Sequence, residues 1–202
     1  MCPTYYSFDP ILEKVFGARP ENYWDDLGGS LDAGIDFFWT GDKVCSRTYS
    51  ASSLAPIAEQ MRRPPVLWDN YPVNDGARMS RRLHLLPFEN RPGPPDDWVR
   101  GHLVNPMNQA WLSRLPLLTL ADTEGGSEQR FVRASAQCCP GPLAKLLLRD
   151  LELFSGVGLD GIPEGDKQAL LSDYNAYAHP VAVEVCQWLR GEYAFDPACL
   201  TD

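Results

Sequence analysis

Residues 66–75 read VLWDNYPVND, a short apolar run that turns within a few positions into carboxylates, amides and aromatic rings. The run follows Pro64 and Pro65 and predicts a buried β-strand that presents polar side chains at the rim of a sheet. In open α/β sheets and barrels, ligands bind at the carboxyl ends of strands. Asp and Asn beside Trp and Tyr suit a sugar, because polar groups hydrogen-bond its hydroxyls while a ring covers its apolar face.

A strand–helix–strand unit leads into this stretch. Residues 34–39, GIDFFW, are mostly apolar and aromatic and predict an earlier buried strand. Ser52 or Ser53 is expected to cap the helix between the two strands. The apolar residues of that helix recur as one stripe, namely Leu54, Ile57, Ala58 and Met61. The two strands are therefore expected to be parallel and joined by a right-handed crossover.

Further elements follow along the chain. Residues 83–88 form another apolar segment, and residues 102–106, HLVNP, again predict a brief buried strand that ends in Asn and Pro. Residues 107–120 predict a helix that Pro116 would kink. From Gly125 onward the spacing of the apolar residues is helical, so the last part of the chain is expected to be a helical extension.

The composition narrows the class of protein. A net charge of −9 over 202 residues argues against a nucleic-acid partner or an anionic membrane surface. The six cysteines form no CxxC pair, and no signal-peptide or membrane-spanning pattern is present, which indicates a reduced, cytoplasmic protein. The GxGxxG at 156–161 follows a helix, which favours a loop over a nucleotide site. No cofactor is expected, and no metal, because no cluster has metal-ligand spacing.

Four segments, in this order and spacing, resemble the second half of the catalytic barrel of glycoside hydrolase family 84, the O-GlcNAcases and their bacterial relatives. They are CPTYY at 2–6, FWTGDKV at 38–44, LWDNYPVND at 67–75 and NPM at 105–107. The resemblance implies an α/β fold, a partial (β/α)8 barrel of the TIM type that comprises roughly its second half. We expect this half to occupy residues 1–124 and the small helical extension to occupy residues 125–202.

The resemblance also implies a reaction, the substrate-assisted hydrolysis of terminal β-linked N-acetylglucosamine from a glycan or glycoprotein. In this scheme the acetamide oxygen of the sugar attacks the anomeric carbon, so the enzyme supplies no nucleophile. An adjacent pair of aspartates performs the acid–base work. One polarises the acetamide and the other protonates the leaving oxygen.

Five residues match sugar-binding positions of the family. Asp75 and Asn105 match ligands of the sugar hydroxyls, and Asn70 matches the asparagine near the acetamide and the catalytic pair. Trp68 matches the aromatic wall of the acetamide pocket, and Tyr6 matches a tyrosine that lines the same pocket. The family often carries a tyrosine directly after the aspartate, where this chain has glycine, which puts the wall beside that aspartate in doubt.

The catalytic aspartates of the family precede the Cys-Pro-Thr segment, at which this sequence starts. Two Asp-Asp pairs do occur, at 25–26 and 96–97, but neither follows a strand-like run. The sequence therefore assigns no catalytic residue, and it leaves open whether the chain is an enzyme. It predicts the sugar-binding half of a glycosidase site or, from a different class, a non-catalytic module that binds N-acetylglucosamine or serves in assembly.

Three or four parallel strands cannot close an eight-stranded barrel. Three arrangements remain open from the sequence. In the first, the chain is a fragment or one half of a split enzyme that joins an N-terminal barrel half. In the second it pairs with a second copy of itself, and in the third it forms an open sandwich in which the helical tail covers the exposed sheet face.

Overall fold

The structure is a computed structural model that describes residues 1–91, 98–193 and 195–201. It divides into two compact units, of which unit 1 is Met1–Asn70 with Glu89–Asn105 and unit 2 is Tyr71–Phe88 with Pro106–Asp202. The chain therefore passes between the units three times, after Asn70, after Phe88 and after Asn105. The domain boundary expected between residues 124 and 125 stays a prediction.

Unit 1 is built on a parallel sheet of three strands in the order β1–β2–β3. These strands are β1 Phe38–Trp39, β2 Val66–Asp69 and β3 Gly101–Val104. The predicted parallel pairing of the strands at 34–39 and 66–69 is confirmed, as is the strand that precedes Asn105. The first strand is shorter than predicted, because residues 32–35 form a turn. The backbone amide of Ile35 donates to the carbonyl of Asp32 at 3.0 Å and closes this turn.

Three helices accompany this sheet: α1 Ile11–Phe16, α2 Tyr23–Ser30 and α3 Ala51–Gln60. The expected cap of α3 at Ser52 or Ser53 is wrong, because Ser50 is the N-cap. Its hydroxyl accepts from the amide of Ser53 at 3.1 Å, while the Ser53 hydroxyl accepts from the amide of Ser50 at 3.0 Å. This reciprocal capping box places Ser53 at the third helical position. The predicted stripe on α3 is buried at Leu54, Ile57 and Met61.

The first residues of the chain lie along β1. The carbonyl of Met1 accepts from the amide of Phe38 at 2.8 Å, and the carbonyl of Tyr6 accepts from the amide of Thr40 at 2.9 Å. Beneath this segment Trp39 is completely buried and packs edge-to-face against Phe8, with ring centroids 4.8 Å apart. Trp39 is thus part of the core of unit 1, while the segment beside it positions Tyr6.

Unit 2 is helical apart from its connecting segments. Its helices are α4 Ala110–Leu118, α5 Ser127–Cys138, α6 Gly141–Arg149, α7 Glu164–Asn175 and α8 Pro180–Leu189. Single helical turns occupy Met79–Arg81, Leu153–Val157 and Leu159–Gly161. The helical character predicted from Gly125 onward is confirmed. The glycine-rich pattern at 156–161 lies mostly on the last two of these helical turns instead of in a loop. It follows α6 and not a strand, unlike a nucleotide-binding fingerprint.

The core of unit 2 is formed by large apolar side chains from every one of its helices. They include Leu83, Leu85, Leu112, Phe131, Leu147, Phe154, Tyr174 and Trp188. The apolar segment at 83–88 contributes to this core without forming a strand. The amide of Leu83 donates to the carbonyl of Phe154 at 3.0 Å, and the amide of Leu85 donates to the hydroxyl of Ser155 at 3.3 Å.

The helix expected over 107–120 is shorter, since it spans Ala110–Leu118, and Pro116 lies inside it. Leu112 and Leu115 of its predicted stripe are buried, whereas Trp111 and Leu118 are exposed. The observed architecture is thus a helix-rich α/β fold with a small parallel sheet. Among the residues that the structure describes, no helix has the length and apolar character needed to cross a bilayer.

Candidate functional site

Two asparagines follow the carboxyl ends of neighbouring strands in unit 1. Asp69 and Val104 are paired in register as the last residues of β2 and β3, so Asn70 and Asn105 come next on both strands. The pairing extends one step further, because the amide of Asn105 donates to the carbonyl of Asp69 at 2.9 Å. This parallel register brings the two predicted site residues to the same edge of the sheet.

The side chain of Asn70 is the centre of a hydrogen-bond network at this edge. Its Oδ1 accepts from Nδ2 of Asn105 at 3.1 Å and from the indole Nε1 of Trp68 at 3.0 Å. Its Nδ2 donates to the carbonyl of Val44 at 2.8 Å. Three partners therefore hold the side-chain amide of Asn70 in one orientation. Its Oδ1 in turn fixes the side chains of Trp68 and Asn105.

Trp68 presents an aromatic face at the surface of unit 1. Its neighbours in the strand, Leu67 and Asp69, are buried, whereas 39% of the Trp68 side chain is exposed. Phe38 packs edge-to-face against it with ring centroids 5.4 Å apart. An exposed indole braced by a second ring and by a hydrogen bond is a rigid surface on which an apolar sugar face can stack.

Tyr6 is half-buried beside the end of β1. Burial raises the pKa of its phenol above the ordinary value, and the nearby Cys2, Cys45 and Asp9 raise it further. The hydroxyl therefore stays protonated at neutral pH and is a hydrogen-bond donor. Among the described residues, no hydrogen bond joins Tyr6 to the network around Asn70.

Asp75 lies in unit 2, where it is half-buried. Its Oδ1 accepts from the hydroxyl of Thr201 at 2.5 Å, and its backbone carbonyl accepts from the amide of Asp196 at 3.0 Å. A carboxylate that accepts from an alcohol makes the type of hydrogen bond that a sugar hydroxyl would offer.

The neighbouring Asn74 is a structural residue of unit 2. It is 1% exposed, and its Nδ2 donates to Oε1 of Gln109 at 2.7 Å and to the carbonyl of Arg82 at 3.0 Å. Its Oδ1 accepts from the amide of Asn108 at 2.9 Å. These bonds fix the backbone that leads into Asp75.

Sequence reasoning gave no role to Asp69, which is completely buried at the end of β2. Its carboxylate accepts from Nε and Nη2 of Arg91 at 2.5 and 3.1 Å and pairs with Nε2 of His102 at 3.0 Å. Burial raises the pKa of the adjacent Tyr49 phenol, and the charge of Asp69 raises it further. The Trp-Asp-Asn motif indicated such a role, because it places an aspartate in a strand that was predicted to be buried. A buried charge needs a hydrogen-bonding or oppositely charged partner.

The Asp25-Asp26 pair lies in the first turn of α2 and does not follow a strand. Its exclusion from catalysis stays a prediction. The pair at 96–97 lies outside the described residues. Within the described ranges, no group of three or more His, Cys, Asp or Glu side chains could hold a metal ion.

Asn70 and Asn105 lie at the carboxyl ends of parallel strands, where α/β proteins bind their ligands. Comparison with known proteins defines the class more closely. A family model described as beta-N-acetylglucosaminidase matches residues 1–136. The chain therefore belongs to this β-N-acetylglucosaminidase family, of the family 84 type that its motifs resemble.

Individual relatives agree with this assignment. Over 120 residues the chain is 32% identical to the proteins described as Protein O-GlcNAcase from Rattus norvegicus and from Mus musculus. That alignment covers 59% of this chain and 13% of each relative. A solved structure of a mutant O-GlcNAc hydrolase from Thermobaculum terrenum matches with a TM-score of 0.61 and 32% identity, over 95% of this chain and 41% of that one. The chain thus spans less than half the length of the relatives it matches.

Proposed function

We propose that the chain supplies the sugar-binding part of a glycosidase site that removes terminal β-linked N-acetylglucosamine by substrate-assisted catalysis. Its substrate would be a glycan or glycoprotein bearing this sugar. In this proposal Asn70 and Trp68 bind the acetamide side of the sugar, and Asn105 binds a hydroxyl. Asp75 and Tyr6 are assigned as further ligands on the strength of the family resemblance.

The network centred on Asn70 carries the proposal. The Oδ1 of Asn70 accepts hydrogen bonds from Trp68 and from Nδ2 of Asn105. The bond from Asn105 fixes the orientation of the Asn105 side chain, with its Nδ2 towards Asn70. Its own Oδ1 has no hydrogen-bond partner among the described residues, which supports its proposed role as the acceptor for a sugar hydroxyl. Trp68, exposed beside it, supplies the apolar surface that a pyranose ring requires.

The proposal includes a partner for the sheet. Three parallel strands leave edges and an apolar face that an eight-stranded barrel would cover. We therefore propose that residues 1–124 form roughly the second half of a (β/α)8 barrel and that residues 125–202 extend it. An N-terminal barrel half, present as another segment or chain, would supply the two aspartates. A second copy of this chain is the alternative partner.

The test measures release of a chromogenic phenol from its β-N-acetylglucosaminide, first with the chain alone and then with an added polypeptide that carries the first four barrel strands. We expect activity in the mixture only. Activity of the chain alone would contradict the proposal that the acid–base pair comes from elsewhere. Replacing Asn105 with Ala should abolish the activity of the mixture, whereas the exposed Asn22→Ala is the matched control and should leave it unchanged.

A non-catalytic N-acetylglucosamine-binding module is the second candidate. It is favoured by the placement of Asp25 and Asp26 on a helix, where they do not follow a strand end as an acid–base pair would. Titration with N-acetylglucosamine and with an oxazoline mimic, followed by NMR spectra, separates the two functions. Binding without activity in any mixture would favour the module, and the absence of both would contradict both functions.

A further inference from the structure

Unit 2 contains a cavity of about 430 Å³ that the proposed sugar site does not use. One wall is the segment around the single helical turn Met79–Arg81, and the other is the glycine-rich loop that follows α6. A volume of this size lies within the range of pockets that hold small molecules.

The cavity is lined by three arginines, Arg78, Arg81 and Arg82, against the single carboxylate of Asp160. Asp160 is already committed, because its Oδ1 accepts from Nη2 and Nε of Arg81 at 2.6 and 3.0 Å. Such a concentration of guanidinium groups is unexpected in a chain whose net charge is −9. The local field in this cavity therefore favours an anion, in contrast to that of the chain as a whole.

The N–H groups of the Arg82 guanidinium are available for a ligand. No carboxylate among the described residues forms an ion pair with it, and its guanidinium has no hydrogen-bond partner among them. It is half-buried beside the loop, so part of its hydration is already lost. A half-buried guanidinium gains more from a bound oxyanion than an exposed one does, since its fork of N–H donors matches the oxygens of a phosphate.

The backbone of Gly158 forms the floor beside Arg82. A Cβ at this position would lie 2.8 Å from the carbonyl oxygen of Arg81 and 3.1 Å from Cγ of Arg82. The residue also has a φ of +77°, which favours glycine. The loop can therefore approach the arginine segment closely only because no side chain stands between them. Val157, which is exposed next to it, adds an apolar surface to the lining.

We propose that this cavity binds a small phosphate monoester. Arg82 would contact the phosphate, and Asp160 would hold Arg81 in place beside it. The volume exceeds that of a phosphate ion, and the side chain of Val157 lies where an organic group would pack. This inference is independent of the sugar-binding proposal, because none of its residues belongs to the proposed sugar site.

The experiment titrates the full chain at low ionic strength with glucose 6-phosphate and, separately, with inorganic phosphate, using calorimetry and NMR spectra. We expect saturable binding of the ester, with weaker binding of inorganic phosphate. Arg82→Gln should weaken binding of the ester about tenfold, the factor that corresponds to about 1.4 kcal/mol. The matched control is Arg190→Gln, which removes an exposed arginine of the same unit that lies next to Glu192.

The variants distinguish a built site from general electrostatic attraction. An equal loss of affinity in Arg82→Gln and Arg190→Gln would overturn the proposal, as would the absence of saturable binding of either probe at millimolar concentration. Equal affinity for the two probes would overturn the assignment of an ester. Gly158→Ala is a second variant, in which the added methyl group should lower affinity for the ester. Its thermal unfolding, measured alongside, establishes that the variant is folded.

Discussion

The hydroxyl of Thr201 donates a 2.5 Å hydrogen bond to the carboxylate of Asp75, across 126 positions of sequence. The segment that carries Thr201 is also tied to the backbone of Asp75, through the amide of Asp196. The carboxylate proposed to bind a sugar hydroxyl is therefore already occupied by an alcohol of the same chain.

Removing this alcohol should raise the affinity for N-acetylglucosamine, because the sugar then no longer competes with Thr201 for the same oxygen. The expected gain for Thr201→Val is about fivefold, which corresponds to about 1 kcal/mol for one hydrogen bond. The measurement is an NMR titration with the sugar. Thr123→Val, which changes an exposed threonine of the same unit, should have no effect. Weaker binding in Thr201→Val would mean that Thr201 orients Asp75 for the ligand.

Replacing Asn70 should lower both the stability of unit 1 and its affinity for the sugar. Asn70→Ala leaves Nε1 of Trp68, Nδ2 of Asn105 and the carbonyl of Val44 without their partner. We expect a loss of about 1–3 kcal/mol in the free energy of unfolding, together with loss of sugar binding. Urea denaturation measures the first effect and ligand titration the second.

Asn70→Asp is the comparison that keeps the acceptor for Trp68 and Asn105. It loses the bond to Val44 and sets a carboxylate oxygen against that carbonyl, so it should also lower the free energy of unfolding. The indole N–H resonance of Trp68 should therefore shift in Asn70→Ala and not in Asn70→Asp, and an equal shift in both variants would contradict the acceptor role of Asn70.

Asp69 should be the most sensitive carboxylate in unit 1. Asp69→Asn removes the charge of the carboxylate that pairs with the guanidinium of Arg91, whose side chain is 8% exposed. Breaking one side of a buried ion pair costs about 3–5 kcal/mol. The control is Asp36→Asn, because Asp36 pairs with Arg100 at 3.4 Å on the surface, where such pairs contribute about 0–1 kcal/mol. Similar urea midpoints for the two variants would contradict the importance assigned to the buried cluster.

His84 should make the stability of the protein depend on pH. Burial lowers the pKa of this imidazole below 6.5, although its Nδ1 lies 3.1 Å from the carbonyl of Pro72. The unfolded chain then binds the proton more readily than the folded chain does. Its contribution to stability is complete above about pH 6.5 and is lost as the pH falls through the lower, folded pKa. His84→Gln should flatten this dependence in urea denaturation measured between about pH 7.5 and 5.5. An unchanged slope would contradict the assignment.

The sequence was a reliable guide where structure is local or repeats a simple period. Apolar spacing and the prolines at 64 and 65 predicted the strand at Val66–Asp69 and the buried stripe on α3. The strand–helix–strand order predicted the parallel pairing. Asn70 and Asn105 were singled out by the family resemblance, and the parallel register of β2 and β3 brings them to one sheet edge.

Partners distant in sequence were not predictable. The segment at 83–88 has the apolarity of a strand, but its amides bond to Phe154 and Ser155, about seventy positions away. The bonds from Arg91 and His102 to Asp69 and from Thr201 to Asp75 are likewise long-range. Periodicity within a window of a dozen residues carries no information on such contacts.

The division of the chain into interleaved units limits how this protein can be cut or rearranged. Neither unit is released as one contiguous peptide by a single cleavage, since the chain passes between them three times. Two of these passages come directly after Asn70 and Asn105, so insertions or circular permutations there would break the peptide beside the proposed sugar ligands. Residues 71–88 belong to unit 2 but lie in the sequence between the two segments of unit 1, so their deletion would remove part of unit 2. A truncation after Asn105 keeps all of unit 1 but leaves residues 71–88 of unit 2 attached to it, so it isolates neither unit.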